Sequence, residues 1–569
     1  MNPLALVVDV VTNLVRLIRN LIAAVLPAPE FVVLQVHGTL PERRQPRPGL
    51  LQRLLAGPMA AQPQDSLEEW RERLRVLAGD ARVKGAVLKI GDLRAGPVSL
   101  ESLRDALAAF RRSGKRLVAY LVTAGEGANL LSYYLASAAD TIVLPESAGL
   151  WLFGPRTEAT FLRSALDRIG VLPQFHHIAE YKTAANRFLH SEMPTPQREM
   201  VASLLDSVFD DLVAAIADAR GTGAEAVRAA IDLGIVPAAE AKARRLVDML
   251  AFEDEIPRLL GTPDRAARIV PWPQARSRVR RPYRFTALQR QAVGVVELLG
   301  AIATGESREF PLPLPLFGSS IAGHETVARA FRAAERSSQI KAVVFHVDSP
   351  GGSAVASDMI WREVTRVQQT KPVVVYMGNV AGSGGYYVSC GARHIVAGAT
   401  TLTGSIGVVS GKFNLQGLFA RGGLRREVIA RGETATMPSG FVPYSEVEWN
   451  RMVAWMHQVY GQFKMRVASG RRKTVQEVEH IARGRVWTGR QAMTHGLVDE
   501  IGDFESAVRK AKQLAGIRED VDVPVVTVRP PKVASIPAAP AAWMDMLRTA
   551  AALLEHRILL LMPENPIGP

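Results

Sequence analysis

Cysteine is almost missing from this chain of 569 residues, which has one, Cys390. That excludes an intrachain disulfide framework and any zinc site built on several cysteines. Lysine is scarce too, with 13 against 56 arginines, so a lysine in an unusual setting stands out. Long uncharged apolar runs are also missing. A membrane-spanning helix needs about 20 nearly uncharged apolar residues, and the most apolar stretch, residues 4–26, is broken by Asp9, Arg16 and Arg19. No basic segment precedes it, as a cleaved signal peptide would require. The Gly-x-Ser-x-Gly elbow of the α/β-hydrolases is absent as well.

What remains is the composition of a globular protein, 48% hydrophobic and 22% charged, which excludes wholesale disorder. The net charge of +14 is scattered along the chain, apart from the run Arg276-Ser-Arg-Val-Arg-Arg-Pro-Tyr-Arg284. A nucleic-acid binder concentrates its charge in a stripe, so no nucleic acid is expected. An arginine-rich surface with some attraction to anionic lipid fits better. In residues 4–26, Asp9, Asn13, Arg16 and Asn20 recur at helical spacing and leave one polar stripe on an apolar helix. A helix lying in a membrane interface has that pattern, and so does a terminal helix docked on the protein's own core or on another subunit. The stretch Trp543–Met562 reads as a second amphipathic helix.

The body of the chain alternates strands with helices, which predicts an α/β fold with a largely parallel sheet. The pattern occurs twice. Phe31-Val-Val-Leu-Gln-Val-His-Gly38 matches Val293-Gly-Val-Val-Glu-Leu-Leu-Gly300, and Val83–Ile90 matches Ile340–Val347. Gly114–Tyr120 matches Thr370–Tyr376, Tyr133–Val143 matches Tyr386–Val396, and Ala241–Asp248 matches Ala492–Asp499. The pairs lie 251 to 262 residues apart and keep their order, which is the mark of a tandem duplication. The expected divisions are an amphipathic N-terminal helix (1–29), a first repeat (30–260), an extended basic linker rich in proline (261–289), a second repeat (290–512) and a C-terminal extension (513–569). Within Phe310-Pro-Leu-Pro-Leu-Pro-Leu-Phe317 the alternating prolines argue against a helix or a central strand, so an exposed apolar loop is expected.

The chemistry is sought where the repeats diverge. In the second, a strand ends in Asp348-Ser-Pro-Gly-Gly-Ser353, whereas the first has Gly91-Asp-Leu-Arg-Ala-Gly96. Paired glycines let the backbone approach a ligand and turn its N–H groups toward an oxyanion. Further on stands Asn379-Val-Ala-Gly-Ser-Gly-Gly-Tyr-Tyr387, with Ser383 between a strand and a helix. Leu130 takes that place in the first repeat. A serine there is a candidate nucleophile at a helix N-terminus, and a simple helix cap is the alternative. The nearest histidines, His346 and His394, fall in buried-strand patterns, so a Ser-His-Asp triad is unsupported. A desolvated lysine is the other possible base. Lys182, in Ile178-Ala-Glu-Tyr-Lys-Thr-Ala-Ala, stands where the second repeat has Glu433; spacing alone reads it as a surface lysine.

Asp348-Ser-Pro-Gly-Gly, Ala381-Gly-Ser-Gly-Gly-Tyr-Tyr, Thr403-Gly-Ser-Ile-Gly-Val408 and Trp487-Thr-Gly-Arg-Gln-Ala with His495-Gly-Leu-Val-Asp499 together resemble the signal peptide peptidase A family in its long, tandem form. The resemblance spans about residues 30–512. It implies two crotonase-like (ClpP-like) α/β units and a serine peptidase without metal or other cofactor. In the implied dyad, Ser383 is the nucleophile and Lys182 the general base. Ser405 orients the lysine, and Gly351, Gly352 and Gly384 lie about the oxyanion and substrate. It further implies apolar peptide substrates such as residual signal peptides, a homo-tetramer, and association with a bacterial inner membrane. The family's usual clear N-terminal span is not matched by residues 4–26, which leaves the mode of anchoring open. Two other functions fit the same fold: a catalytically inactive membrane-associated scaffold, which predicts erosion of the dyad, and an acyl-CoA-type crotonase-fold enzyme, whose adenine pocket has no signature here.

Overall fold

The computed structural model describes residues 3–44, 65–121, 127–283, 291–314, 318–529 and 559–561. The chain forms two compact units, one of residues 1–155 and 208–290, the other of residues 156–207 and 291–568. The compact units therefore cut across the repeats, because residues 156–207, inside the first repeat by sequence, pack with the second unit.

In the first unit six strands form a wholly parallel sheet. Their order is Ile269–Pro271, Phe31–Gly38, Gly85–Leu93, Arg116–Leu121, Thr141–Leu144 and Met249–Leu250. In the second unit the order Val525–Thr527, Ala292–Leu299, Ile340–Ser349, Val373–Gly382, His394–Ala397, Glu500–Ile501 repeats it strand for strand. This equivalence adds one strand to each repeat. Residues 269–271 are an edge strand and not extended linker, and residues 525–527 are their counterpart beyond residue 512. Both triplets lie at the sheet edge, where pairing on one side is enough and proline is tolerated.

The second sheet is buried on both faces, as parallel sheets are. Alternation along its central strand sends Val343, Phe345 and Val347 into one core with Ile360, Tyr386 and Tyr387. Ala342 and Val344 go into the opposite core with Tyr376 and Phe504. By the same period of two, His346 points to the latter side. Its ring lies 5.4 Å from the Tyr376 ring and 3.8 Å from the Glu297 carboxylate.

A further sheet of the second unit runs Arg308–Leu314, Gly318–Gly323, Ala301–Ala303, Gly351–Ser353, Leu559–Leu561, Val409–Asn414, Leu172–His177. The proline-rich segment expected as a loop is, over Arg308–Leu314, an edge strand antiparallel to Gly318–Gly323. Its missing N–H groups need no partner on the outer side. Residues 315–317 lie outside the described residues. So does most of the expected amphipathic helix Trp543–Met562, of which Leu559–Leu561 is described and is a strand.

The N-terminal helix spans Pro3–Val25. It docks on the first unit through its polar stripe. Asn13 is buried, and Asn20 both donates to the Arg281 carbonyl at 3.0 Å and accepts the Arg281 N–H at 2.9 Å. Leu14, Ile18, Leu21 and Ile22 are exposed. Among the described residues no helix is long and apolar enough to cross a membrane.

Candidate active site

The glycine pair after strand Ile340–Ser349 is a steric necessity. Gly351 and Gly352 have φ of 103° and 155°, and a Cβ at Gly352 would overlap the Ile302 carbonyl. The next residue, Ser353, caps helix Ala354–Val367, its hydroxyl accepting the Ala356 N–H. The Gly351 N–H donates to Ser349 Oγ at 3.1 Å, so that donor is engaged within the turn. Gly384 sits against the pair, since a Cβ added there would lie 3.1 Å from the Gly352 nitrogen and 2.8 Å from Ser357 Oγ. The Gly352 and Gly384 backbones thus pack closely because neither residue has a side chain.

Ser383 precedes helix Gly384–Ser389 with φ 53° and ψ −110° and makes no side-chain cap bond. The capping alternative is thereby removed. A non-glycine residue in this region carries about 1–3 kcal/mol of strain. Surrounding bonds hold it: the Ser383 N–H donates to the Gly404 carbonyl at 2.8 Å, and its carbonyl accepts the Tyr387 N–H at 2.8 Å. Asp348 adds a tether, its buried carboxylate accepting the Val380 N–H at 3.1 Å. Burial raises the pKa of that carboxyl above the ordinary range.

Lys182 is fully buried, contrary to the surface position that its spacing alone suggests. Strand Leu172–His177, paired antiparallel with Val409–Asn414, leads into it. Its Nζ lies 2.7 Å from Ser383 Oγ, 3.0 Å from Ser405 Oγ and 2.9 Å from the Ser405 carbonyl oxygen. Desolvation alone pushes the amine well below the ordinary lysine pKa, because the charged form has lost its water and has no carboxylate in exchange. A neutral amine has two N–H donors and one lone pair. In that form, with its donors on the two Ser405 oxygens, the amine turns its lone pair toward the Ser383 hydroxyl. Glu433, the counterpart in the second repeat, is exposed, and Leu130, the counterpart of Ser383, is buried.

The structure also assembles a part of the site that the sequence reading missed. The Arg483 carbonyl accepts the Tyr181 N–H at 3.2 Å, the Gly484 N–H donates to the Ile406 carbonyl at 2.9 Å, and the Arg485 carbonyl accepts the Ser405 N–H at 2.7 Å. Residues 483–485 therefore splint the lysine segment to the Ser405 segment. Gly484, at φ 80°, packs face to face with the Lys182 backbone. A glycine between two arginines was the only local signal, and it names no partner. The histidines stay out of the site: His346 lies on the other face of the sheet from helix Gly384–Ser389, and His394 pairs with Glu500 at 3.0 Å. Cys390, at the end of that helix, is buried with its thiol pKa pushed up to about 12, an inert packing residue.

A buried lysine amine 2.7 Å from a strained serine hydroxyl, with the Gly352 and Gly384 backbones packed alongside, suits nucleophilic attack on an acyl carbon with an oxyanion held alongside. Comparison with known proteins bears on that chemistry. The model of peptidase family S49 matches residues 109–262 and again 365–518. Serine protease SPPA, chloroplastic, of Arabidopsis thaliana is 32% identical over 82% of this chain and 68% of its own length. Protease 4 of Haemophilus influenzae is 30% identical over 78% of this chain and 72% of its own. Protease 4 of Salmonella typhi is 30% identical over 83% and 76%.

Proposed function

The chain belongs to peptidase family S49, whose domain it carries twice, and from that premise we propose that it is a serine endopeptidase with a Ser383/Lys182 dyad. The observation that carries this reading is the fully buried Lys182 amine 2.7 Å from Ser383 Oγ. Neutral Lys182 accepts the Ser383 proton as Oγ attacks a peptide carbonyl. The Gly352 and Gly384 N–H groups stabilise the oxyanion. Lys182 then returns the proton to the leaving amine. Water, deprotonated by the same lysine, hydrolyses the acyl-enzyme. Ser405 keeps the lone pair aimed at the hydroxyl throughout. No cofactor enters the cycle.

The substrates are apolar stretches of peptide such as residual signal peptides, bound extended against Gly351–Ser353. In the test, a serine-directed acylating reagent labels the intact protein, and an apolar fluorogenic peptide is cleaved. Both signals are expected to vanish in Ser383→Ala. Labelling that persists in that variant would sink the assignment.

The reading includes a bacterial inner-membrane surface as the working location. Its support is the helix Pro3–Val25, which turns its polar stripe to the protein and its apolar face outward, with Arg281 held at its side. Such a helix lies in the headgroup region and gains from anionic lipid. Replacing Ile18 and Leu21 by glutamate is expected to weaken co-sedimentation with anionic vesicles at least tenfold. Unchanged sedimentation would refute it.

A further inference from the structure

We propose that His177 is a positioning residue for Lys182: its imidazole clamps the strained turn at Ala179 that aims the lysine amine at Ser383. His177 Nδ1 lies 2.8 Å from the Ala179 carbonyl oxygen. A carbonyl oxygen only accepts, so Nδ1 carries the hydrogen and the tautomer is fixed. Ala179 has φ 66°, a left-handed conformation that glycine adopts freely and alanine only under strain. Such a conformation persists where its surroundings hold it in place, and the half-buried imidazole does so here.

The turn is short and both of its ends are tied. On the near side His177 stands opposite Val409 in the strand pair, and the Ile178 N–H donates to the Val408 carbonyl at 3.0 Å. On the far side the Tyr181 N–H donates to the Arg483 carbonyl at 3.2 Å. Lys182 follows at once, its Nζ 2.7 Å from Ser383 Oγ. Ala179 and Glu180 set the direction between these anchors, so a change of φ at Ala179 swings the lysine. The second repeat offers a natural control, because Ile429-Ala-Arg-Gly-Glu433 takes the place of Ile178-Ala-Glu-Tyr-Lys182. That copy has Glu433 for the lysine and Val428 for His177, and its Ala430 is not left-handed. The histidine and the strained alanine occur together, in the copy that holds the lysine. The effect on rate rests on the peptidase reading, whereas the clamp does not.

Three variants of the full-length protein test this role. His177→Phe keeps a ring and removes the donor. His177→Asn keeps an N–H donor at the δ position. His177→Phe combined with Ala179→Gly removes the donor together with the strain it opposes. In His177→Phe, kcat for an apolar fluorogenic peptide is expected to fall on the order of fivefold, the worth of one hydrogen bond. KM should change little, since the lost bond lies within the lysine segment. Most of kcat is expected to return in His177→Asn and in the combined variant. Full kcat in His177→Phe, a change confined to KM, or a combined variant as slow as His177→Phe would overturn the proposal. Should phenylalanine disturb folding, His177→Gln, whose amide sits one atom farther out, replaces it. A second readout needs no catalysis: acetic anhydride labels lysines, and mass spectrometry follows Lys182. Its labelling is expected to quicken on the order of fivefold in His177→Phe, as the enclosed amine opens to solvent, and to stay slow in the other two variants. Equal labelling in all of them would overturn the clamp. The expected labelling pattern in a chain that cleaves no peptide would support the clamp and count against the dyad.

Discussion

Lys182→Met is expected to abolish peptide cleavage, on the order of a 10³-fold fall in kcat or more, while leaving the protein at least as heat-stable as before. The two halves of this expectation have one cause. Lys182 is completely buried with no carboxylate beside it, so its polar end costs desolvation energy that an apolar side chain of similar length does not. Removing one member of a group that acts as a unit costs nearly all of the unit's effect. Neither His346, near Tyr376 on the other side of the sheet, nor His394, paired with Glu500, can take the lysine's place. The pH profile gives the sign check. A general base works when neutral, so kcat/KM rises with pH as Lys182 loses its proton. Burial lowers that pKa, so the rise is centred well below the ordinary 10.5. A profile flat across neutral and mildly alkaline pH, or a Lys182→Met protein that keeps a tenth of its activity, would contradict the lysine's role. An inactive scaffold would show neither the loss nor the profile.

Much of this architecture is written in local pattern. The duplication is legible because each copy keeps its hydrophobic strands in order, and the divergence at Leu130 against Ser383 points to the half that holds the serine. His346 could be set aside from periodicity alone, and its place on the face away from helix Gly384–Ser389 follows from the same period. The burial of Lys182 could not be read this way. Its neighbours Tyr181 and Thr183 give no apolar stripe, and its enclosure comes from residues 405–407 and 483–485, more than 200 positions on. The division into compact units was hidden for a related reason. Segment 156–207 lies in the first repeat, yet its strand Leu172–His177 pairs with Val409–Asn414, a partnership set by sheet edges and not by sequence neighbours. The edge strands at 269–271 and 525–527 were hidden because proline and short length mask a strand wherever one-sided pairing suffices. Leu559–Leu561 was read as part of a helix because its apolar run has no period that distinguishes helix from strand.

The splint at residues 483–485 makes the last expectation the sharpest test of geometry. In Gly484→Ala the new Cβ would overlap the Lys182 backbone nitrogen and lie 2.6 Å from its Cα. Those are main-chain atoms, which cannot rotate away as a side-chain tip could. The lysine segment has to shift, because Gly407 adjoins the same junction, its own Cβ position lying 2.9 Å from Gly484 Cα and 3.1 Å from Lys182 Cδ, and leaves little slack around Gly484. A displacement of about 1 Å between reacting groups costs on the order of 100-fold in rate, so kcat is expected to fall by about that factor with KM little changed. Backbone strain alone could be blamed, because Gly484 has φ 80° and alanine there costs about 1 kcal/mol. Gly423 isolates that contribution. It has φ 70° and nothing within 4 Å of its Cβ position, so Gly423→Ala imposes the same strain without the collision. Full activity in Gly423→Ala beside a crippled Gly484→Ala would assign the effect to the lysine's position. Equal loss in both would assign it to strain and remove the splint from the mechanism.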